Sequence, residues 1–130
     1  MTEEVFPGGE PTIRVTATPA DTNVYGDIFG GWLMAQMDLA ASAVASRHSG
    51  GRAVTIAVDG MTFHRPVFVG DEVSVFATLT KVGRTSMGVD LETWRRDRHS
   101  DDAYLVTRAC YTFVAIGQDR RPRSVKPLRD

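Results

Sequence analysis

The chain predicts an α+β domain in which one long central helix is wrapped by a curved antiparallel sheet of about five strands. Three observations lead there. Positions 30–46 hold a single charged residue, Asp38, among Trp32, Leu33, Met34, Met37, Leu39, Val44 and Ala35, Ala40, Ala41, Ala43 and Ala45, a helix apolar around nearly its whole circumference. Beyond Gly50 and Gly51 the pattern changes to segments rich in β-branched and aromatic residues, bounded by Gly, Pro and Asp. The lengths also agree, since a helix of ~17 residues runs ~26 Å and strands of ~10 residues run ~33 Å, so the sheet can cover the helix along most of its length.

Each element has its own punctuation. Residues 1–11, with Pro7, Gly8, Gly9 and Pro11, read as a flexible leader. Residues 12–17 alternate as a strand until Pro19 stops them. A polar turn then leads to Gly30 and Gly31 at the helix entrance, and the helix ends near His48, Gly50 and Gly51. A strand over 53–63 is stopped by Pro66, a second over 72–82 follows the turn Val69-Gly70-Asp71, a third over 86–96 follows Gly83-Arg84, and 104–116 closes the sheet. The folded domain spans 12–118, followed by a basic tail over 119–130 that carries Arg120, Arg121, Arg123, Lys126 and Arg129 against Asp119 and Asp130.

Composition narrows the function. A net charge of −1 argues against a general nucleic-acid binder. Cys110 is the only cysteine, so no intrachain disulfide can form, and the first residues lack the basic-then-apolar pattern of a secretion signal, which predicts a cytoplasmic protein. Gln36, Asp38 and Ser42 interrupt the helix, so no apolar run reaches the ~18 residues of a membrane span. His48, His64 and His99 are dispersed and show no metal-ligand spacing. A core of this size gains from self-association, and an oligomer is expected.

The chemistry centres on Asp38. Its helical neighbours Met34, Ala35, Ala41 and Ser42 include no cation, so a carboxylate there is desolvated without local compensation and becomes a candidate base. The structural alternative is a buried Asp that caps a neighbouring element or pairs with an Arg from elsewhere in the fold. Just upstream, Gly30 and Gly31 let a ligand approach the unpaired N–H groups of a helix N-terminus, a natural place for a developing oxyanion. Asp27 reads as a cap near the helix start, Trp32 and Trp94 as packing residues, and Asp59 as a second buried acid with a structural role at a subunit interface.

The segments Asp21-Thr22-Asn23, Gly26-Asp27-Ile28-Phe29-Gly30-Gly31-Trp32 and Gln36-Met37-Asp38, with Asp59-Gly60-Met61-Thr62-Phe63, Gly83-Arg84-Thr85-Ser86 and Tyr111-Thr112-Phe113-Val114-Ala115, resemble the hotdog-fold acyl-CoA thioesterases of the YciA type. The match covers roughly residues 17–123 in the expected order. The resemblance implies hydrolysis of an acyl-CoA to the free acid and CoA, with Asp38 as general base or nucleophile. Asn23 would complete the site from the partner subunit, and Gly30, or its neighbour Gly31, would supply the backbone oxyanion donor. Arg84, Thr85 and Ser86 would hold CoA phosphates, while His64 and Arg65 would contact the nucleotide or line the dimer interface. It implies no cofactor beyond the CoA of the substrate, a homodimer as the catalytic unit, and a hexamer built as a trimer of dimers. Val24-Tyr25 and Ala40-Ala41 depart from the family pattern, which bears on acyl-chain preference and leaves the reacting groups intact. The competing class is a non-catalytic acyl-CoA-sensing module, which would keep the pocket without needing the carboxylate.

Overall fold

The computed structural model describes residues 4–128. Strand β1 (Ile13–Thr16) and a short 3-10 turn (Pro19–Asp21) precede α1 (Gly30–Ser49), followed by β2 (Ala53–Asp59), β3 (Glu72–Val82), β4 (Ser86–Arg96) and β5 (Ala103–Ala115). The strands form one antiparallel sheet in the order β1-β3-β4-β5-β2. The two strands nearest in sequence to α1 therefore lie at opposite edges of the sheet, and the helix sits in its concave face.

Leu33, Met37, Ala40, Ala41 and Ala45 form the buried stripe of α1, facing Val73, Val75, Met87, Val89, Leu91, Val106, Tyr111 and Phe113. The alanines bring helix and sheet close together, while each large side chain contributes about 1.5–3 kcal/mol by leaving water. At the far end Gly50 adopts φ 73° and donates its N–H to the Ser46 carbonyl at 2.9 Å, the left-handed stop that glycine tolerates best. The sheet covers only part of the helix. Met34 and Leu39 stay exposed, Leu39 at 57 %, and the edge strand β2 beside them exposes Val54, Ile56 and Val58.

Three local expectations are corrected. β2 stops at Asp59 because Gly60 turns the chain at φ 70°, so residues 61–63 run beside β5 without joining its ladder, tied by Thr107 Oγ1 to the Thr62 carbonyl at 2.8 Å and by His64 N–H to the Val106 carbonyl at 2.8 Å. Asp59 lies exposed on this protomer rather than buried, since it ends an edge strand. The helix N-cap is Phe29, which makes no side-chain capping bond, so Asp27 does not cap α1.

Residues 4–11 form no helix or strand, yet they dock on the outer face of the sheet. Phe6 meets Phe76 and Trp94 edge-on at 5.4 Å each, which accounts for burial of Trp94 outside the main core. The tail also docks: Arg123 donates to the carbonyls of Ile116, Ser49 and Arg52, and Val125 N–H reaches the Arg84 carbonyl at 2.8 Å. Met1–Glu3 of the expected leader and Arg129–Asp130 of the tail lie outside the described residues.

Candidate active site

Asp38 projects from the α1 flank that faces β2. Its Oδ1 accepts a 2.6 Å hydrogen bond from Thr55 Oγ1. A β-bulge follows immediately, between Thr55 and Ala57, and bulges re-aim neighbouring side chains. Asp38 is half-buried and forms no ion pair among the described residues, so the alternative of an Arg-paired structural acid finds no support. Tyr111 approaches the same helical turn from β5, donating from its hydroxyl to the Met34 carbonyl at 3.0 Å. Burial pushes the Tyr111 phenol up to about 12, and the nearby Asp38 charge adds to the shift. Neither Thr55 nor Tyr111 was singled out in the sequence, where each reads as an ordinary strand former. The only signal was that both alternate onto the face that meets the helix.

The turn before α1 is held by its own backbone. Asn23 Oδ1 accepts the N–H groups of Tyr25 at 2.8 Å and Asp27 at 3.2 Å, so that oxygen is committed and Nδ2 is the end left to donate outward. Ile28 N–H to the Val67 carbonyl and Phe29 N–H to the Asp21 carbonyl, at 3.0 and 2.8 Å, fix the entrance of the helix. Val67 belongs to the loop secured by Asp71, which is buried and accepts from Phe68 N–H at 2.9 Å and from Arg95 at 3.3 Å. Trp32 and Leu33 N–H both turn back to the Phe29 carbonyl, whereas Gly30 and Gly31 begin a first helical turn with no side-chain cap. Neither is crowded: a Cβ on Gly30 would meet only the Phe63 ring at 3.8 Å, and one on Gly31 only the Phe29 ring at 3.6 Å.

One chain does not bring all of these groups together. Gly30 and Asp38 are eight residues apart on one helix, about 12 Å along its axis, too far for a backbone N–H and a carboxylate of the same chain to sit at ~3 Å from one small carbonyl group. Beside Asp38 the helix exposes Met34 and Leu39 next to the edge strand β2. A cavity of ≈ 720 Å³ does exist beside α1, but it is lined by Glu10, Pro11, Thr12, Ala43, Val44, Arg47, His48 and Lys126. Arg47 lies nine residues beyond Asp38, about half a turn around the helix, so that cavity belongs to the opposite flank.

The hairpin between β3 and β4 displays Arg84 to solvent, with no carboxylate partner among the described residues. Gly83 N–H closes the turn on the Ser86 carbonyl at 2.9 Å, and a Cβ at Gly83 would come within 2.7 Å of Ser86 Oγ, so a larger residue there would make the Ser86 side chain rotate away. The Thr85 carbonyl accepts from Ala115 N–H at 2.9 Å, which ties the turn to the end of β5. Of the other two candidates, His64 is exposed, whereas Arg65 already donates to the Leu105 carbonyl at 2.7 Å and Glu4 at 2.8 Å and lies over the Tyr104 ring. No cluster of three or more His, Cys, Asp or Glu residues placed to hold a metal occurs among the described residues, and no helix among them is long and apolar enough to cross a membrane.

Comparison with known proteins adds the lineage. Residues 25–101 match the Thioesterase superfamily model. The chain is 53% identical over 98% of its length, and 86% of the relative's, to an uncharacterized acyl-CoA thioester hydrolase of Zymomonas mobilis. It is 46% identical, over 90% of each chain, to the acyl-CoA thioester hydrolase YciA of Salmonella typhimurium. Among solved structures, the hexameric thioesterase y2039 of Yersinia pestis superposes with a TM-score of 0.88 at 44% identity, over 95% of this chain and 100% of that one. With its helix wrapped by a five-stranded antiparallel sheet, the chain belongs to the thioesterase superfamily and has the hotdog fold.

Proposed function

We propose that the protein hydrolyses acyl-CoA thioesters, with Asp38 as the group that drives the reaction. The observation that carries this reading is the Asp38 carboxylate, without an ion pair among the described residues and oriented by Thr55 at 2.6 Å on a half-buried flank of the helix. A carboxylate with no cationic partner among the described residues keeps an oxygen available to take a proton or to attack a carbonyl. Asp38 takes a proton from the attacking water, or attacks the carbonyl itself to give an anhydride that water then opens. On either route the C–S bond breaks, the sulfur leaves as CoA thiol with a proton, and the acyl group leaves as the acid.

The oxyanion formed at the carbonyl is stabilised by backbone N–H at Gly30, with Gly31 adjacent, and the Asn23 amide helps to hold water. The ~12 Å between Gly30 and Asp38 along one helix supports a composite site in which one chain supplies Asp38 and its partner supplies Asn23 and the glycines. The open edge of β2, with Val54, Ile56 and Val58 exposed beside Leu39, supports the same arrangement, because an apolar sheet edge left uncovered invites pairing. A two-fold dimer is therefore the catalytic unit, and three such dimers would build a hexamer like that of the Yersinia relative.

Arg84, with Thr85 and Ser86, binds CoA phosphate at the β3–β4 turn, where an exposed cation has no acidic partner among the described residues. In this reading the exposed His64 contacts the nucleotide or lines the dimer interface. Arg65 is engaged by Leu105 and Glu4, so in this reading it secures the loop that carries His64. Substrate supplies the CoA, and the mechanism requires no further cofactor. The reaction proceeds in the cytoplasm, where acyl-CoA is available.

The test is release of free CoA thiol from acyl-CoAs of graded chain length. Turnover on at least part of the series is expected. Tight acyl-CoA binding without thiol release across the whole series would instead make the protein a sensing module.

A further inference from the structure

We propose that Tyr111 is a positioning residue for Asp38, bolting the helical turn that carries the carboxylate to β5. The proposal rests on the assignment of Asp38 made above. Within α1 the Asp38 N–H donates to the Met34 carbonyl four residues earlier, as α-helical geometry requires. The Tyr111 hydroxyl donates to the same oxygen at 3.0 Å. A carbonyl has two lone pairs, so both bonds can be made at once, and the peptide that fixes the start of the Asp38 turn is itself fixed to the sheet.

Register places the two anchors side by side. Thr55 pairs with Phe113 and Val58 pairs with Tyr111, so the hydroxyl holding the carboxylate and the hydroxyl holding the backbone come from adjacent strands within a few residues. Asp38 is thus restrained at its tip by β2 and at its base by β5. The Tyr111 ring is 1% exposed, which keeps it from swinging away and from meeting substrate. Its hydroxyl keeps its proton over the whole working pH range, because burial and the Asp38 charge hold the phenol up at about 12.

The decisive variants are Tyr111→Phe, which keeps the ring and removes only the hydroxyl, Asp38→Asn, and the two combined. With Asp38 present, Tyr111→Phe should lower kcat by about 10-fold and leave KM for acyl-CoA within about twofold, since small misplacements of a reacting group are costly. The melting temperature should fall by no more than about 5 °C, because the Met34 carbonyl retains its helical bond. In the Asp38→Asn background the same change should cost less than about twofold, as expected for a residue that acts through the carboxylate. An equal loss in both backgrounds, an unchanged kcat, or a Tyr111→Phe chain that fails to fold would each overturn the proposal and leave the hydroxyl a purely structural bond. Near-normal turnover by Asp38→Asn alone would overturn the assignment of Asp38 itself, whatever Tyr111→Phe does.

Discussion

Thr55 Oγ1 lies 2.6 Å from Asp38 Oδ1, joining an edge strand to the middle of the central helix through the one charged side chain in the apolar segment of α1. Charge-assisted bonds of this length are strong and directional, so this one restricts where the carboxylate can point. Thr55→Val preserves shape and removes the donor. It should lower kcat by about 10- to 100-fold, matching the ~1.5–3 kcal/mol of a hydrogen bond to a charged group, while the chain folds and binds CoA. Steady-state kinetics beside a CoA titration check this, and a Thr55→Val enzyme with wild-type kcat would show that the bond does not serve turnover.

The role proposed for Arg84 is of a different kind. Arg84→Ala should mainly raise KM and flatten the salt dependence of binding, because a solvent-exposed cation facing phosphate is screened by added ions. A short acyl thioester lacking the nucleotide should be hydrolysed equally well by both enzymes. If the variant is impaired to the same degree on both substrates, Arg84 shapes the turn rather than binding phosphate.

A site that draws Asn23 and Asp38 from two chains, as proposed, has a consequence for mixtures. Asn23→Ala and Asp38→Ala chains refolded together in equal amounts give about half heterodimers by random pairing, each with one doubly damaged and one intact site. Activity should return to about a quarter of wild type if the sites are independent and each parent is nearly inactive. Were both residues supplied by one chain, the mixture would stay as inactive as its parents even with subunit exchange confirmed.

Tyr111 also sets a limit at high pH. Its phenol is held at about 12 in the fold against an ordinary 10, so the folded state prefers the neutral form. That preference is worth about 2–3 kcal/mol, is fully present below pH 10, and is lost as pH rises from 10 through 12. Denaturant unfolding across this window should show that loss in the wild type and much less of it in Tyr111→Phe. Identical pH dependence of stability in the two proteins would contradict the buried, protonated state assigned to the hydroxyl.

The sequence made some parts of this architecture plain and hid others. β3 and β4 have the boundaries their turns predicted, because Gly70-Asp71 and Gly83-Arg84 are chain reversals that few other conformations accommodate. The end of β2 was overrun, since Met61-Thr62-Phe63 has strand-like composition and the stop depends on the single positive φ at Gly60. Asp59 looked buried because a strand pattern does not say which strand becomes an edge. Asp38 stood out as a lone charge in an apolar helix. Thr55 and Tyr111 did not, because what matters in them is which hydroxyl meets which oxygen across 17 and 77 residues of chain.

Whether Asp38 does the chemistry is read straight from thiol release by Asp38→Asn, a nearly isosteric change. kcat should fall by at least ~100-fold with folding and acyl-CoA binding largely intact, the behaviour of a group needed mainly in the transition state. Near-normal turnover would contradict it, removing Asp38 from the mechanism whatever else the fold preserves.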